Sequence, residues 1–287
     1  MSKLLEQTIG VIHLLKFDLS FTIFEIGALK LSEKDEPFYK ILDYFPSSKI
    51  YGFELDRNVC DQLNSNAGSG VKYFPHALGE RSESRKLNIT NHPMCSSLYE
   101  PNEEFLDLYQ NLDVAKKKSE VTINTISLDQ FIEDNGVTSV DFIKIDVQGA
   151  EGDIFKGAPK TLKDTLKIVS EVGFVPLYKK QPLFGDICTI LSRHDFMFNK
   201  FLGMAGRSLK PIVLKNNPNF ASQHMWSDAV FIKHVAMIPE LANDKILKLA
   251  LLAATYSSAD LVHYCLMTFD KKNETSLSDK WMRAMSK

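Results

Sequence analysis

The chain has 287 residues, of which 44% are hydrophobic, 10% aromatic and 24% charged, with a formal net charge of -2. That length holds one large domain, or one domain with a modest appendage, and the composition is that of a soluble globular protein rather than a disordered chain or a membrane bundle. A charge so close to zero argues against a nucleic-acid binder, whose affinity comes largely from neutralising phosphates.

The first apolar stretch, Ile9 to Leu15, is interrupted by His13, followed by Lys16 and Asp18, and lacks a small-residue cleavage site. It reads as an amphipathic helix within a segment spanning 1–20. No apolar run reaches the roughly 20 residues needed to span a bilayer. Cys60, Cys95, Cys188 and Cys265 lie far apart without metal spacing, which fits a reduced compartment. Together these features lead us to expect a cytoplasmic protein.

From Phe21 onward, apolar runs of strand length alternate with helical segments, the pattern of a mostly parallel sheet covered on both faces. FTIFEIG (21–27) is the first strand. Pro37 opens the next helix, with Phe38, Ile41, Leu42 and Phe45 at core-facing spacing and Pro46 as its stop. KIYGFELD (49–56) is the second strand, followed by a helix capped by Asp56, and VKYFPHALG (71–79) is the third. RKLNIT and VTINTISL read as antiparallel additions or edge strands, with SSLYEPN as a loop between them. VDFIKIDV (140–147) and LKIVSEVGF (166–174) are strongly apolar strands, each followed by a helix. FMFNKFLGM and SDAVFIKH complete the sheet, closing a domain over 21–235. The remainder, 236–287, is a helical extension in which ILKLALLAATY and LVHYCLMTF form an αα pair. The pair either covers the sheet or makes a homodimer contact, and covering is the simpler reading.

The loop after Gly27 reads ALKLSEKDEP and carries no G-x-G-x-x-G. A pyrophosphate needs several glycines so that backbone N–H groups can approach its oxygens at a helix N-terminus, so a dinucleotide is disfavoured. S-adenosylmethionine carries no phosphate. It needs one close backbone approach, a partner for a cationic end, and an acidic grip on the ribose. Gly27 and Glu25 suit the first two, and Glu54, closing the second strand, suits the third. A carboxylate there serves NAD equally well, so Glu54 counts only alongside the glycine-poor loop. Glu25, Gly27, Ala28, Glu54, Leu55, His76, Ala77 and Asp146 all fall at or just beyond strand ends, where ligands of open α/β sheets bind, and are the candidate cofactor contacts.

FEIGA, GFELD, HALGE, SSLYEPN, LDQFI, DFIKIDVQGAEGDIFKGA and EVGFVPLYKKQPLFGDI occur in an order that resembles the FkbM-type methyltransferases, over roughly residues 20–235. The resemblance implies a seven-stranded Rossmann-like fold and methyl transfer from S-adenosylmethionine to a hydroxyl, often of a sugar or a polyketide-type natural product. Many members read D-V-G-A-N-x-G where this chain reads E-I-G-A-L-K-L.

Methyl transfer to an alcohol needs alignment of oxygen, methyl carbon and sulfur, and removal of the hydroxyl proton by a base or a metal-activated route. Asp146 is the first candidate for base or substrate contact, with Glu171 and Glu151 as further catalytic candidates. Glu151 can equally serve the dipole of a helix start, and Glu171 can equally pair with a lysine. His76 reads as a base, a structural residue or a neighbour of the adenine. Ser96, Ser97, Tyr99 and Asn102 either close over the acceptor or form a surface turn, and Phe174, Tyr178 and Phe184 either stack on a sugar face or belong to the core. Of these, Ser97, Tyr99, Asn102 and Tyr178 are the candidate substrate contacts. Asp146, Glu151 and Glu171 are hard oxygen donors suited to Mg²⁺, but their spacing is not diagnostic and no metal is expected. Two other readings remain. An NAD-dependent sugar-modifying enzyme should carry a glycine-rich first loop and a Tyr-x-x-x-Lys pair, both lacking here. A non-catalytic binding protein on the same fold has no physical need for both Glu54 and Asp146.

Overall fold

Five parallel strands at the centre of a computed structural model, which describes residues 3–15, 17–28, 36–217, 220 and 223–286, carry the site at their carboxyl ends. These are β1 (Thr22–Ile26), β2 (Lys49–Phe53), β3 (Val71–Phe74), β7 (Phe142–Ile145) and β8 (Lys167–Gly173), in spatial order β3-β2-β1-β7-β8. Strand order reverses between β1 and β7, and a crevice opens at such a switch point. Beyond β8 the sheet turns antiparallel through β11 (Gln223–Lys233), which also pairs β9 (Phe196–Phe201) and β10 (Ala205–Arg207). The sheet therefore has eight strands among the described residues rather than the expected seven, because two short strands both pair with the long β11.

The third strand is shorter than the expected 71–79. It stops at Phe74, before Pro75, which has no N–H to give to a ladder. Past that break Ala77–Leu78 (β4) joins a separate sheet with β5 (Glu83–Thr90) and β6 (Lys117–Ile126), in the order β4-β6-β5. The helix expected from Pro37 is likewise divided into a 3₁₀ turn, Pro37–Lys40, and one α turn, Ile41–Tyr44, with Phe38, Ile41 and Phe45 buried. Asp56 caps Arg57–Asn66, its carboxylate accepting from the backbone N–H of Asn58 and Val59 at 2.8 and 3.2 Å.

Alternation along β1 sends Phe24 and Ile26 to one face and Ile23 to the other. The first face packs against helices Leu128–Asp134, Glu151–Lys156, Pro159–Asp164 and Phe184–Ser192. The second packs against the N-terminal helix Lys3–Ile12 and the C-terminal helices Asn243–Thr255 and Ala259–Asn273 in one apolar cluster. A third C-terminal helix, Leu277–Met285, joins the expected pair, and its Trp281 indole N–H donates to the Thr8 hydroxyl at 3.0 Å. These helices cover the sheet of the same protomer. No helix among the described residues is long and apolar enough to cross a membrane, and all four cysteines are free.

Candidate active site

A cleft of about 970 Å³ lies at the carboxyl ends of β1, β2 and β7. Glu25, Gly27, Ala28, Glu54, Leu55, His76, Ala77 and Asp146 all line it. Gly27 adopts φ +81°, and a Cβ there would lie 1.9 Å from the carbonyl oxygen of Asp146. Its missing side chain thus serves first the close crossing of two strand ends, a duty not visible in the sequence. The backbone N–H groups of Gly27 and Ala28 both donate to the Phe53 carbonyl, at 3.2 and 3.1 Å. Both donors are already engaged, so this turn offers a pyrophosphate little. Residues 29–35, the rest of the glycine-poor loop, lie outside the described residues.

Glu54 is 9% exposed, and its carboxylate accepts from the backbone N–H of Asp56 at 2.8 Å. Burial holds its pKa above the ordinary carboxylate value, with the two backbone N–H groups of Asp56 and Leu55 pulling the other way. His76 stacks over Phe74 and meets Phe131 edge-on, and burial lowers its pKa, so the imidazole is neutral at pH 7. Across the cleft, Leu87 and Ile89 of β5 and Val121 and Ile123 of β6 form an apolar wall. None of these four is among the residues expected at the site. Their signal is the apolar i, i+2 pair on each strand of an otherwise polar hairpin.

The floor of the cleft holds charge. Glu25 faces Lys144 across the β1–β7 ladder and accepts from the Tyr39 hydroxyl at 2.5 Å. Lys144 is 7% exposed, donates to Asp228 at 2.9 Å, and shares the cleft with Glu36. Burial works against its charge, but Asp146 and Asp228 outweigh that and raise its pKa. Burial also raises Glu36, opposed by Lys144. Lys144 and Glu36 were not among the expected site residues. A lysine inside FIKI, a strand otherwise wholly apolar, was the available signal for the first; for the second there was none.

A second cavity, of about 440 Å³, adjoins the first and shares Met94, Asp146 and Gln148 with it. Three carboxylates meet here, since Asp146, Glu151 and Glu171 have oxygens within 4.8 Å of one another. The side-chain amide of Gln148 donates to Asp146 at 2.7 Å and to Glu171 at 2.8 Å. Burial, then the charges of Asp146 and Glu151, push Glu171 well above the ordinary carboxylate value and favour its protonated form. Glu151 is 4% exposed and folds back to accept from the backbone N–H of Val147 at 2.9 Å. Burial raises its pKa to about 7. Its carboxylate braces the tight turn at Gln148 and Gly149, both at positive φ. The three acids are chemically suited to a hard divalent cation.

The remaining candidates divide. Tyr178 lines the second cavity, its hydroxyl reaching the Cys95 carbonyl at 2.8 Å and the Gln148 side chain at 3.1 Å. Ser97 lines the first, but its hydroxyl donates to the Gln148 carbonyl at 2.6 Å and accepts from the Tyr99 N–H, so it ties the loop down. Tyr99 and Asn102 line neither cavity. The Tyr99 hydroxyl donates to Asp153 at 3.1 Å, and the Asn102 amide donates to the Pro176 carbonyl at 3.0 Å. Phe174 and Phe184 pack with Phe201, the core alternative.

Residues 25–198 match the family model described as the methyltransferase FkbM domain. The 2-O-methyltransferase NoeI of Sinorhizobium fredii (strain NBRC 101917 / NGR234) is 26% identical over 176 residues, covering 58% of this chain and 71% of that protein. Among solved structures, a SAM dependent methyltransferase from Aquifex aeolicus aligns at TM-score 0.31 and 8% identity, covering 79% of this chain and 91% of that one. A LepI complex with SAM aligns at 0.33 and 8%, covering 75% and 43%. The family match spans more than half of the residues and contains the strand ends at β1, β2 and β7 that carry the larger cleft, and the chain belongs to the methyltransferase FkbM family.

Proposed function

We propose that the protein is an S-adenosylmethionine-dependent O-methyltransferase acting on a hydroxyl of a sugar, glycan or related natural product. The observation that carries this reading is the junction of two cavities at Asp146, one with the donor set for a phosphate-free nucleoside and one lined by buried acids. Family membership supports methyl transfer, and the 2-O-methyltransferase named above supports a hydroxyl acceptor.

The cleft residues fit the cofactor. Glu54 would hold the ribose, and His76 with the apolar wall of β5 and β6 would flank the adenine. Glu25, Glu36 and Lys144 offer both signs of charge to an amino-acid end. When bound, S-adenosylmethionine supplies an activated methyl group. The protein's share is position and proton transfer. Enclosing the acceptor beside the cleft turns an encounter into a held geometry, which is worth up to roughly 7–11 kcal/mol in the best cases. Asp146 stands between the cavities as the general base. Burial and the neighbouring carboxylates favour the protonated form of Glu171, which makes it the poorer choice of base, and Glu151 is occupied by the turn. Gln148 donates to Asp146 and fixes where its carboxylate points.

The test is calorimetric titration of wild type and Glu54→Ala with S-adenosylhomocysteine, with NAD as control. Wild type should bind S-adenosylhomocysteine and not NAD, and the variant should lose about tenfold or more in affinity. Binding of neither ligand would favour the non-catalytic reading.

A further inference from the structure

The connection from β9 through β10 to β11 exposes an unusual amount of apolar surface. Leu202, Met204, Leu209, Ile212, Val213, Leu214 and Phe220 are each between 40% and 55% exposed. They account for more than half of the large exposed hydrophobic side chains found among the described residues, yet fall on one short segment. Leu108, 53% exposed, joins them, because the Lys210 N–H donates to its carbonyl at 2.8 Å. Scattered exposed apolar residues need no explanation, but a concentration of this kind marks an interaction surface.

The charge of the segment selects among occupants. From Phe196 to Ser227 the sequence holds Lys200, Arg207, Lys210 and Lys215 and no acidic residue. Lys200 is turned inward to the Ser257 carbonyl, and Arg207 lies over the Trp226 ring. Lys210 and Lys215 flank the apolar run Ile212 to Leu214. Lys210 touches Asp113 at 3.6 Å on a solvated surface, where such pairs contribute little. Leucine, isoleucine, valine and phenylalanine bordered by lysine is the chemistry of a surface that enters the headgroup region while its ammonium groups meet anionic lipid.

We infer that the exposed segment from Leu202 to Lys215, with Phe220, is a membrane-docking surface for an anionic bilayer. At its root, Arg207 and Trp226 line the smaller cavity, so docking would hold that cavity beside the bilayer. The inference does not depend on the proposed reaction.

Flotation of the full chain with vesicles of phosphatidylcholine alone, or mixed equally with phosphatidylglycerol, tests it. Wild type should float with the mixed vesicles and lose binding as salt is raised. A triple variant, Ile212→Ser, Val213→Ser and Leu214→Ser, should bind about tenfold more weakly or less while its unfolding transition is unchanged. Lys210→Glu with Lys215→Glu, which leaves the apolar side chains in place, should abolish the preference for phosphatidylglycerol. Failure of wild type to float with either vesicle would overturn the inference. So would flotation that both variants retain, or a dimer seen by light scattering that the triple variant dissolves while vesicles capture nothing.

Discussion

Replacing Gly27 by alanine separates two duties that the residue can have. A left-handed φ costs an L-residue roughly 1–2 kcal/mol, and Gly27 sits at +81°. The added Cβ would start 1.9 Å from the Asp146 carbonyl oxygen, where real contacts essentially never fall below 3.0 Å. One strand end must therefore retreat by about 1 Å in a close-packed interior. Asp146 cannot move alone, since its N–H donates to the Ile26 carbonyl at 3.0 Å. Together these effects should cost about 2–4 kcal/mol. Urea unfolding reads the stability, and titration with S-adenosylhomocysteine reads the cleft. We expect both to fall, and turnover to fall further, because a displacement of about 1 Å in an aligned site can cost about 100-fold. Stability within about 0.5 kcal/mol of wild type would refute the strand-crossing argument. Unchanged stability with lost binding would assign the glycine to the ligand alone.

Glu151 should make stability depend on pH. Its folded pKa of about 7 lies above the ordinary 4.5, so the native state keeps a proton that the unfolded chain releases. That contribution is complete below about 4.5 and is lost as pH rises through about 7. Glu151→Gln, whose side-chain oxygen can still accept from Val147, should match wild type near the lower value and exceed it above the higher one by about 3 kcal/mol. Parallel stability profiles for the two proteins would contradict this. Asp141 joins the sheet to the C-terminal helices: its carboxylate is 3% exposed and accepts from the Thr22 N–H at 3.0 Å, from Lys245 at 2.8 Å and from Lys248 at 3.1 Å. Asp141→Ala removes the carboxylate from two mostly buried ammonium groups, leaving Lys245 only the Ser139 hydroxyl and the Asp164 carbonyl, and should cost about 3–5 kcal/mol. A shift in the urea midpoint equivalent to less than about 1 kcal/mol would show that the helices are held by apolar packing alone.

Local pattern was sufficient for much of this protein. Apolar runs of strand length placed β1, β2, β7 and β8, because a strand buried on both faces must be apolar along its whole length. Once those strands are parallel, their carboxyl ends converge, and Glu25, Gly27, Glu54 and Asp146 converge with them. Three other features depend on contacts between distant residues. Pro75 ends one ladder, but only the pairing of Ala77 and Leu78 with Thr125 and Ile126 turns the next residues into the edge of a second sheet. That sheet supplies the apolar wall of the cleft, and no local periodicity states which hairpin faces which strand end. Side-chain direction was equally out of reach. Glu151 and Asp146 look alike in IKIDVQGAE, yet positive φ at Gln148 and Gly149 turns the chain back so that one carboxylate braces the turn while the other faces both cavities. Tyr99 and Asn102 occupy a loop that reads equally as an acceptor cover or a surface turn, and partners at Asp153 and Pro176 keep them out of both cavities. Residue type and strand period specify which groups reach the end of a sheet. Which of them point into the cavities is settled by the hydrogen bonds they can make to residues far along the chain.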